Sequence, residues 1–253
     1  MIGKIIIPAR IDSTRLPRKA LIDIDGQPMI VRTAMNAIEA VGIDHVYVAT
    51  DSEEIQDCCD KYDIHSVLTS KDCLTGTDRV IEAANIMGLS RVYNLQGDEP
   101  LFPSEVIKKF IEKTEESNYA VDMGVTTIRD IKELDSPKIP KIVFNNEKEL
   151  MYTSRSRIPG SKDMNSEVGY KQVCIYKYNI TKLSEYIKIK NKTFFESIED
   201  LELLRMLEAG VKVKCRFLNY HTHYSIDTPE DLINVRNERR RQTKTQSQQG
   251  GDC

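Results

Sequence analysis

"GKIIIPA", residues 3–9, is a near-continuous apolar run ended by proline, and "DHVYVATD" (44–51) and "SRVYNLQGDEP" (90–100) repeat its shape. Each run stays apolar on consecutive residues and stops at polar or charged ones, as a strand buried on both faces of a parallel sheet does. Helical patterns lie between them over 29–42, closed by Gly42, over 52–63, and over 77–88, closed by Gly88. This βαβαβ alternation predicts an α/β fold with a mainly parallel central sheet and helices on both sides. Ligands of such a sheet gather at the carboxyl ends of its strands.

Further along, "SEVIKKFIEKTEES" (104–117) reads as a helix with Ser104 as N-cap. "AVDMGVTTI" (120–128), "PKIVFN" (140–145), "QVCIYKYN" (172–179) and "KVKCRFL" (212–218) read as strands. Residues 196–210 form one amphipathic helical pattern closed by Gly210, and a last helix opens with Thr228 as N-cap and Pro229 at its first position. Residues 240–253 are polar and glutamine-rich and read as a disordered tail. Neither an internal repeat nor a Gly/Ser linker divides the chain, so one domain over 1–239 is expected.

The 253 residues carry a net charge of −3 with 40% hydrophobic and 30% charged residues, the make-up of a folded globular chain without a global basic field. With 7% aromatics and no Trp there is no stacking platform for nucleic acid, so that class of partner is excluded. No stretch approaches the roughly 20 apolar residues that cross a bilayer. The first residues also lack a signal-peptide core and cleavage site, so a cytoplasmic location is expected. Cys58, Cys59, Cys73, Cys174, Cys215 and Cys253 form no CxxC pair and read as free thiols in a reducing compartment.

Directly behind the first strand, "PARIDSTRLPRK" (8–19) holds Arg10, Arg15, Arg18 and Lys19. Arg10 and Arg15 offer planar forks of donors, Lys19 a point charge, and Ser13 and Thr14 hydroxyls, together a cradle for polyphosphate. A solvated basic turn fits the charge equally well, and neither the P-loop nor the GxGxxG pattern is present. "NLQGDEP" (94–100) places Asp98 at a strand's carboxyl end beside a glycine, where a hard divalent cation is held next to phosphates. Asp227, in "SIDTPEDL" (225–232), reads either as a second carboxylate at that edge or as a cap of the final helix. Glu99 reads as a strand-end charge. His221 and His223 could share one face of an extended segment, yet hard-cation chemistry prefers oxygen ligands, which leaves them structural or acceptor-side roles.

"IIIPARIDSTRLPRKAL", "IDGQPMI", "VYVATDSEEI", "TGTDRV", "NLQGDEPL", "YTSRSRIP", "IEDLELLRMLEAG" and "IDTPEDL" occur in the order and approximate spacing of the CMP-KDO synthetases, the 3-deoxy-manno-octulosonate (KDO) cytidylyltransferases. The chain resembles that family over residues 3–238. The resemblance implies a Rossmann-like GT-A nucleotidyltransferase fold with a smaller lobe that serves acceptor binding and dimerisation. It also implies attack of the acid's anomeric hydroxyl on the α-phosphorus of CTP, with Mg2+, giving a CMP-linked acid and pyrophosphate. In the family that product feeds lipopolysaccharide or capsule.

Carried over by position, Arg10, Arg15 and Lys19 would hold the triphosphate and, with Asp98 and Asp227 on Mg2+, carry the catalysis. Pro8 and Ala9 would shape the cytosine pocket, Ser13 and Thr14 would meet phosphate, and Thr75, Gly76 and Thr77 the base or ribose. Gln96 would touch both substrates. Arg79, Arg155, Gln172, Tyr176 and Glu202 would face the acid. Lys141 matches a family lysine, and both it and Arg155 also read as surface charges.

Departures concentrate on the acceptor side. Arg18 stands where the family has glycine, Gln172 where it has histidine, Leu203 where it has glutamine, and Cys73 and Leu74 replace polar residues. Losing such hydrogen-bond partners shifts acceptor preference. KDO, an 8-amino form, or another carboxylate or phosphonate therefore stay open as acceptors. Two further readings remain, a different nucleotidyltransferase and a catalytically silent nucleotide-binding relative.

Overall fold

The opening run forms β1 (Lys4–Ala9), and its two-sided burial accounts for its composition. Ile5 and Ile7 enter the core on one side of the sheet and Ile6 the core on the other. Each such isoleucine contributes about 1.5–3 kcal/mol, so this one strand anchors both layers. The structure is a computed structural model that describes residues 3–13, 15–160, 162, 168–221 and 224–249. Thr14 and His223 lie outside the described residues.

After β1 come a small hairpin, β2 (Asp23–Ile24) and β3 (Gln27–Pro28), and then α1 (Met29–Val41). Gly42 ends α1 with φ 86°, the conformation that its position as a helix stop calls for. β4 (Val46–Thr50), α2 (Glu53–Asp60), β5 (His65–Leu68), α3 (Gly76–Ile86) and β6 (Arg91–Leu95) complete the expected alternation. β6, β1, β4 and β5 are neighbours in that order, all parallel.

The second half contains α4 (Ser104–Thr114), β7 (Val121–Ile128), α5 (Ile131–Asp135), β8 (Lys141–Phe144) and β9 (Leu150–Ser154). It continues with β10 (Gly169–Asn179), α6 (Ser184–Lys188), α7 (Phe194–Glu199), α8 (Glu202–Glu208), β11 (Val213–Phe217) and α9 (Pro229–Gln249). β10 inserts antiparallel between β6 and β7, β11 pairs parallel with β7, and the β8–β9 hairpin hangs from the start of β10. α1 and α4 cover one face, where Ala34, Ala37, Ile107 and Phe110 pack on Ile5 and Ile7. α3 and α8 cover the other through Val80, Ala84, Leu203 and Met206.

Three local expectations change. Pro103, not Ser104, holds the N-cap position of α4, and Ser104 is its first helical residue. The pattern over 196–210 is two helices, because Asp200 turns left-handed (φ 51°) and ends α7, whose start is fixed by a Thr193–Glu196 capping box. Instead of a tail from 240, α9 continues to Gln249. Its apolar contacts come early, with Val235 packed beside Ile226, which precedes the helix, on Ile24 and Met29. Among the described residues, no helix is long and apolar enough to cross a membrane.

Candidate active site

Strand ends β1 and β6 and the start of α9 converge on a cleft of about 490 Å³. Its floor is tight: a β-carbon on Gly97 would lie 2.5 Å from the Pro8 carbonyl oxygen, so only glycine lets the two strand ends approach. Ile226 N–H donates to the Asp98 carbonyl at 3.1 Å, which joins the late segment to the same floor. Asp98 and Asp227 thereby face one cation, with Lys19 Nζ 2.8 Å from Asp98 Oδ2 and 2.9 Å from Asp227 Oδ1. Burial works against the Lys19 charge, yet the two carboxylates outweigh it and raise its pKa.

Arg15 reaches Asp227 at 3.2 Å, and Arg10 and Ser13 line the same cleft beside Pro8 and Ala9. Arg18 takes the left-handed conformation (φ 56°) and pairs with Glu54 on α2, so the residue in place of the family's glycine ties the loop to a helix instead of entering the cleft. The cap of α9 is built by others: Asp231 accepts from Thr228 N–H at 2.8 Å and from its hydroxyl at 2.7 Å. That resolves the two readings of Asp227, whose carboxylate is left for Lys19 and Arg15.

The other wall begins at α3. Thr75 caps it, its hydroxyl bonded to Asp78 at 2.7 Å, and Gly76 sits against Pro8 and Gln96. The free N–H groups of Gly76 and Thr77 donate to the Glu202 carboxylate at 3.2 and 2.9 Å. Glu202 is thus a clasp between α8 and α3 rather than a group open to the acid, and burial raises its pKa. The Thr77 hydroxyl is likewise turned inward, 3.2 Å from the Tyr178 hydroxyl, which accepts from Asn94 at 3.1 Å.

Along the β10 wall, a bulge between Val173 and Tyr176 interrupts pairing with β7, and the Cys174 carbonyl accepts from Gln96 N–H at 3.2 Å. Gln172, Cys174 and Tyr176 line the cleft, as do Cys73, Leu74 and Leu203. Arg155 lines it too, but its guanidinium is held by the backbone carbonyls of Glu199 (2.6 Å), Pro137 (3.0 Å) and Asp200 (3.2 Å). Arg79 also lines the cleft, but it is only 3% exposed: it pairs with Asp51 at 2.8 Å and donates to Thr69 Oγ1 at 2.6 Å. Asp51 also accepts from Ile11 N–H, so Arg79 braces the basic loop. Lys141 is fully buried and donates to the Ser136 carbonyl at 2.7 Å and the Arg155 carbonyl at 2.5 Å, which removes it from both the surface and the cleft. His221 bonds Thr126 and Asn219 and is structural.

The profile of the cytidylyltransferase family matches residues 4–213. The chain belongs to that family. A 3-deoxy-manno-octulosonate cytidylyltransferase of Polynucleobacter necessarius is 38% identical over 92% of this chain and 93% of its own length. An 8-amino-3,8-dideoxy-manno-octulosonate cytidylyltransferase of Shewanella frigidimarina is 38% identical over 90% of this chain and 94% of its own. Among solved structures, a CMP:2-keto-3-deoxy-manno-octonic acid synthetase complexed with CTP superposes with a TM-score of 0.85 at 30% identity, covering 95% of this chain and 99% of that one. The resemblance read from the motifs is borne out, and with it the α/β nucleotidyltransferase fold.

Two residues, one buried behind this cytidylyltransferase's cleft and one at its rim, escape a reading by motif. Arg205 is fully buried on α8, 2.6 Å from Asp78 and 3.1 Å from Glu196, with its guanidinium over the Tyr186 ring. Lys192 pairs with Asp200 at 2.6 Å at the rim. An arginine on the apolar stripe of an amphipathic pattern was the available signal for the first, since a buried charge needs a partner. Nothing local marks the second.

Proposed function

We propose that the cleft couples CTP to KDO or a KDO-like acid such as 8-amino-KDO, yielding the CMP-linked acid and pyrophosphate with Mg2+. One observation carries this reading: Arg15 and Lys19 of the basic loop converge on Asp98, just past the carboxyl end of the parallel strand β6, and on Asp227, just before α9. The carboxylate pair suits Mg2+. It already surrounds a cation at 2.8 and 2.9 Å with hard oxygen atoms, and magnesium commonly takes one or two carboxylates while phosphates and water fill the rest of its shell. Bound there, the ion would offset the charge that develops on the phosphate oxygens.

The protein's own contribution is positioning. Arg10, Arg15 and Lys19 draw the triphosphate to the strand ends, and Gly76 leaves room for the nucleoside beside Pro8 and Gln96. Neither cleft thiol is poised as a nucleophile. Burial and then Glu82 push Cys73 up to about 12, and burial and then Glu99 raise Cys174 well above an ordinary thiol. Direct displacement by the acid's hydroxyl fits such a site better than a covalent enzyme intermediate. Gln172, Tyr176 and Leu203 form the surface presented to the acid.

We also infer a homodimer through the lobe around α7 and β9. Phe194 and Ile198 of α7 are 70% and 66% exposed, and Met151 of β9 is 61% exposed. Phe195 packs edge-on to Tyr152 at 6.1 Å, which makes the two elements one apolar face.

The deciding experiment is Mg2+-dependent pyrophosphate release from CTP with KDO, 8-amino-KDO, sialic acid and small phosphonates offered in turn. Turnover with KDO or 8-amino-KDO is expected. Turnover with phosphonates alone, or with a purine nucleotide in place of CTP, would overturn the proposal.

A further inference from the structure

Between Asp98 and Asp227, where the proposed Mg2+ would lie, the chain places its own cation. Lys19 Nζ spans both carboxylates, and Arg15 adds a second positive group at 3.2 Å from Asp227. Two carboxylates and two cations leave this cluster without net charge. A divalent ion approaching it meets no attractive field, and it cannot share the gap with an ammonium group because like charges a few ångströms apart repel. The rest of a metal shell is also missing, since among the described residues no group of three metal-ligating side chains forms.

The lysine is anchored at its base, and its side chain lines the cleft. It opens a one-turn helix, Lys19–Leu21, directly after Arg18, whose left-handed backbone and pairing with Glu54 fix the loop to α2. Lys19 is 18% exposed on the side that faces the cleft. An incoming triphosphate offers it an anion of much higher charge than either carboxylate. Were the ammonium to turn to the phosphates, both carboxylates would be released, and phosphate oxygens would be at hand as further ligands.

We infer that Lys19 is a built-in counter-ion, which keeps the Asp98–Asp227 pair closed to divalent cations until a triphosphate draws it away and so makes metal and CTP bind as a unit. The inference rests on the reading of these carboxylates as the Mg2+ ligands. Lys19 is a positioning residue in this role, distinct from its contact with phosphate. Linkage then requires that metal strengthen CTP binding by the same factor by which CTP strengthens metal binding.

The test is Mn2+ binding to the full-length protein, followed by the electron paramagnetic resonance signal of the free ion. Titrations run without nucleotide and with CTP, using protein-free CTP as the reference for chelation. Wild type should bind Mn2+ weakly alone and tightly with CTP. Lys19→Met and Lys19→Gln should bind Mn2+ about tenfold more tightly than wild type without nucleotide, the scale of one charged hydrogen bond removed. Their gain on adding CTP should shrink accordingly. Arg15→Gln, which removes only the exposed partner, should move nucleotide-free affinity by less than either. A merely structural lysine would leave the gain on adding CTP unshrunk when replaced, and the glutamine variant preserves polarity if the methionine variant fails to fold. Tight Mn2+ binding by nucleotide-free wild type, unchanged in the Lys19 variants, would overturn the counter-ion role while leaving the carboxylate reading intact. No protein-dependent Mn2+ binding under any condition would overturn both.

Discussion

Gly97 sets the geometry of the cleft floor, because its missing side chain is what allows the β6 end to touch the Pro8 carbonyl. Gly97→Ala should destabilise the fold by about 1–3 kcal/mol, read as a lower urea midpoint at unchanged slope, since a backbone oxygen cannot step aside. A wild-type midpoint would show that the strand ends part without cost. At this scale the sequence exposed the groups whose neighbours in the chain explain them. Lys19, Asp98 and Asp227 each follow a strand or precede a helix, and the parallel-sheet rule puts such positions on one edge. Arg79 and Glu202 were legible as polar residues near that edge but not as braces. Their partners, Asp51 and the α3 amides, lie 28 and about 125 residues away, and no local pattern encodes such a distance.

Helix boundaries follow capping chemistry more closely than apolar periodicity. The stripe over 196–210 looks continuous, yet Asp200 breaks it so that Glu202 can turn its carboxylate onto the α3 amides. The start of α9 was legible, because Thr228 and Pro229 carry the signal themselves. There Asp231 closes the cap. Burial raises its pKa, but hydrogen bonds from Thr228 and Lys138 outweigh that and hold it below the ordinary 3.8. A carboxylate depressed in the folded state adds stability above its unfolded pKa and loses it as pH falls through the folded one. Asp231→Ala should therefore cost about 1 kcal/mol at neutral pH, and its melting temperature should approach that of wild type as pH drops below 3.8. A difference that stayed constant through that range would exclude the charged cap.

For the whole molecule, the apolar face of α7 and β9 makes self-association the expectation. Sedimentation velocity should give the mass of two chains for wild type and of one for the paired variant Phe194→Asp, Ile198→Asp. A wild-type monomer throughout the micromolar range would refute the assignment. The layered α/β architecture was readable from the spacing of buried runs, whereas the antiparallel placement of β10 was not. Strand direction inside a sheet depends on pairings across the whole chain, such as Ile175 with Leu95, and leaves no mark on the strand's own composition.

The carboxylates that clasp Lys19 are contributed by residues 79 and 208 positions further along the chain. During synthesis, β1 to β6 emerge and can pair while Asp227 is still unmade, so the half that attracts triphosphate exists well before the half that would organise its chemistry. On the proposed reading, a nascent or C-terminally clipped chain would therefore attract CTP without turning it over. Catalytic competence would then arrive in a single late event, and the appearance of turnover would time the completion of the fold.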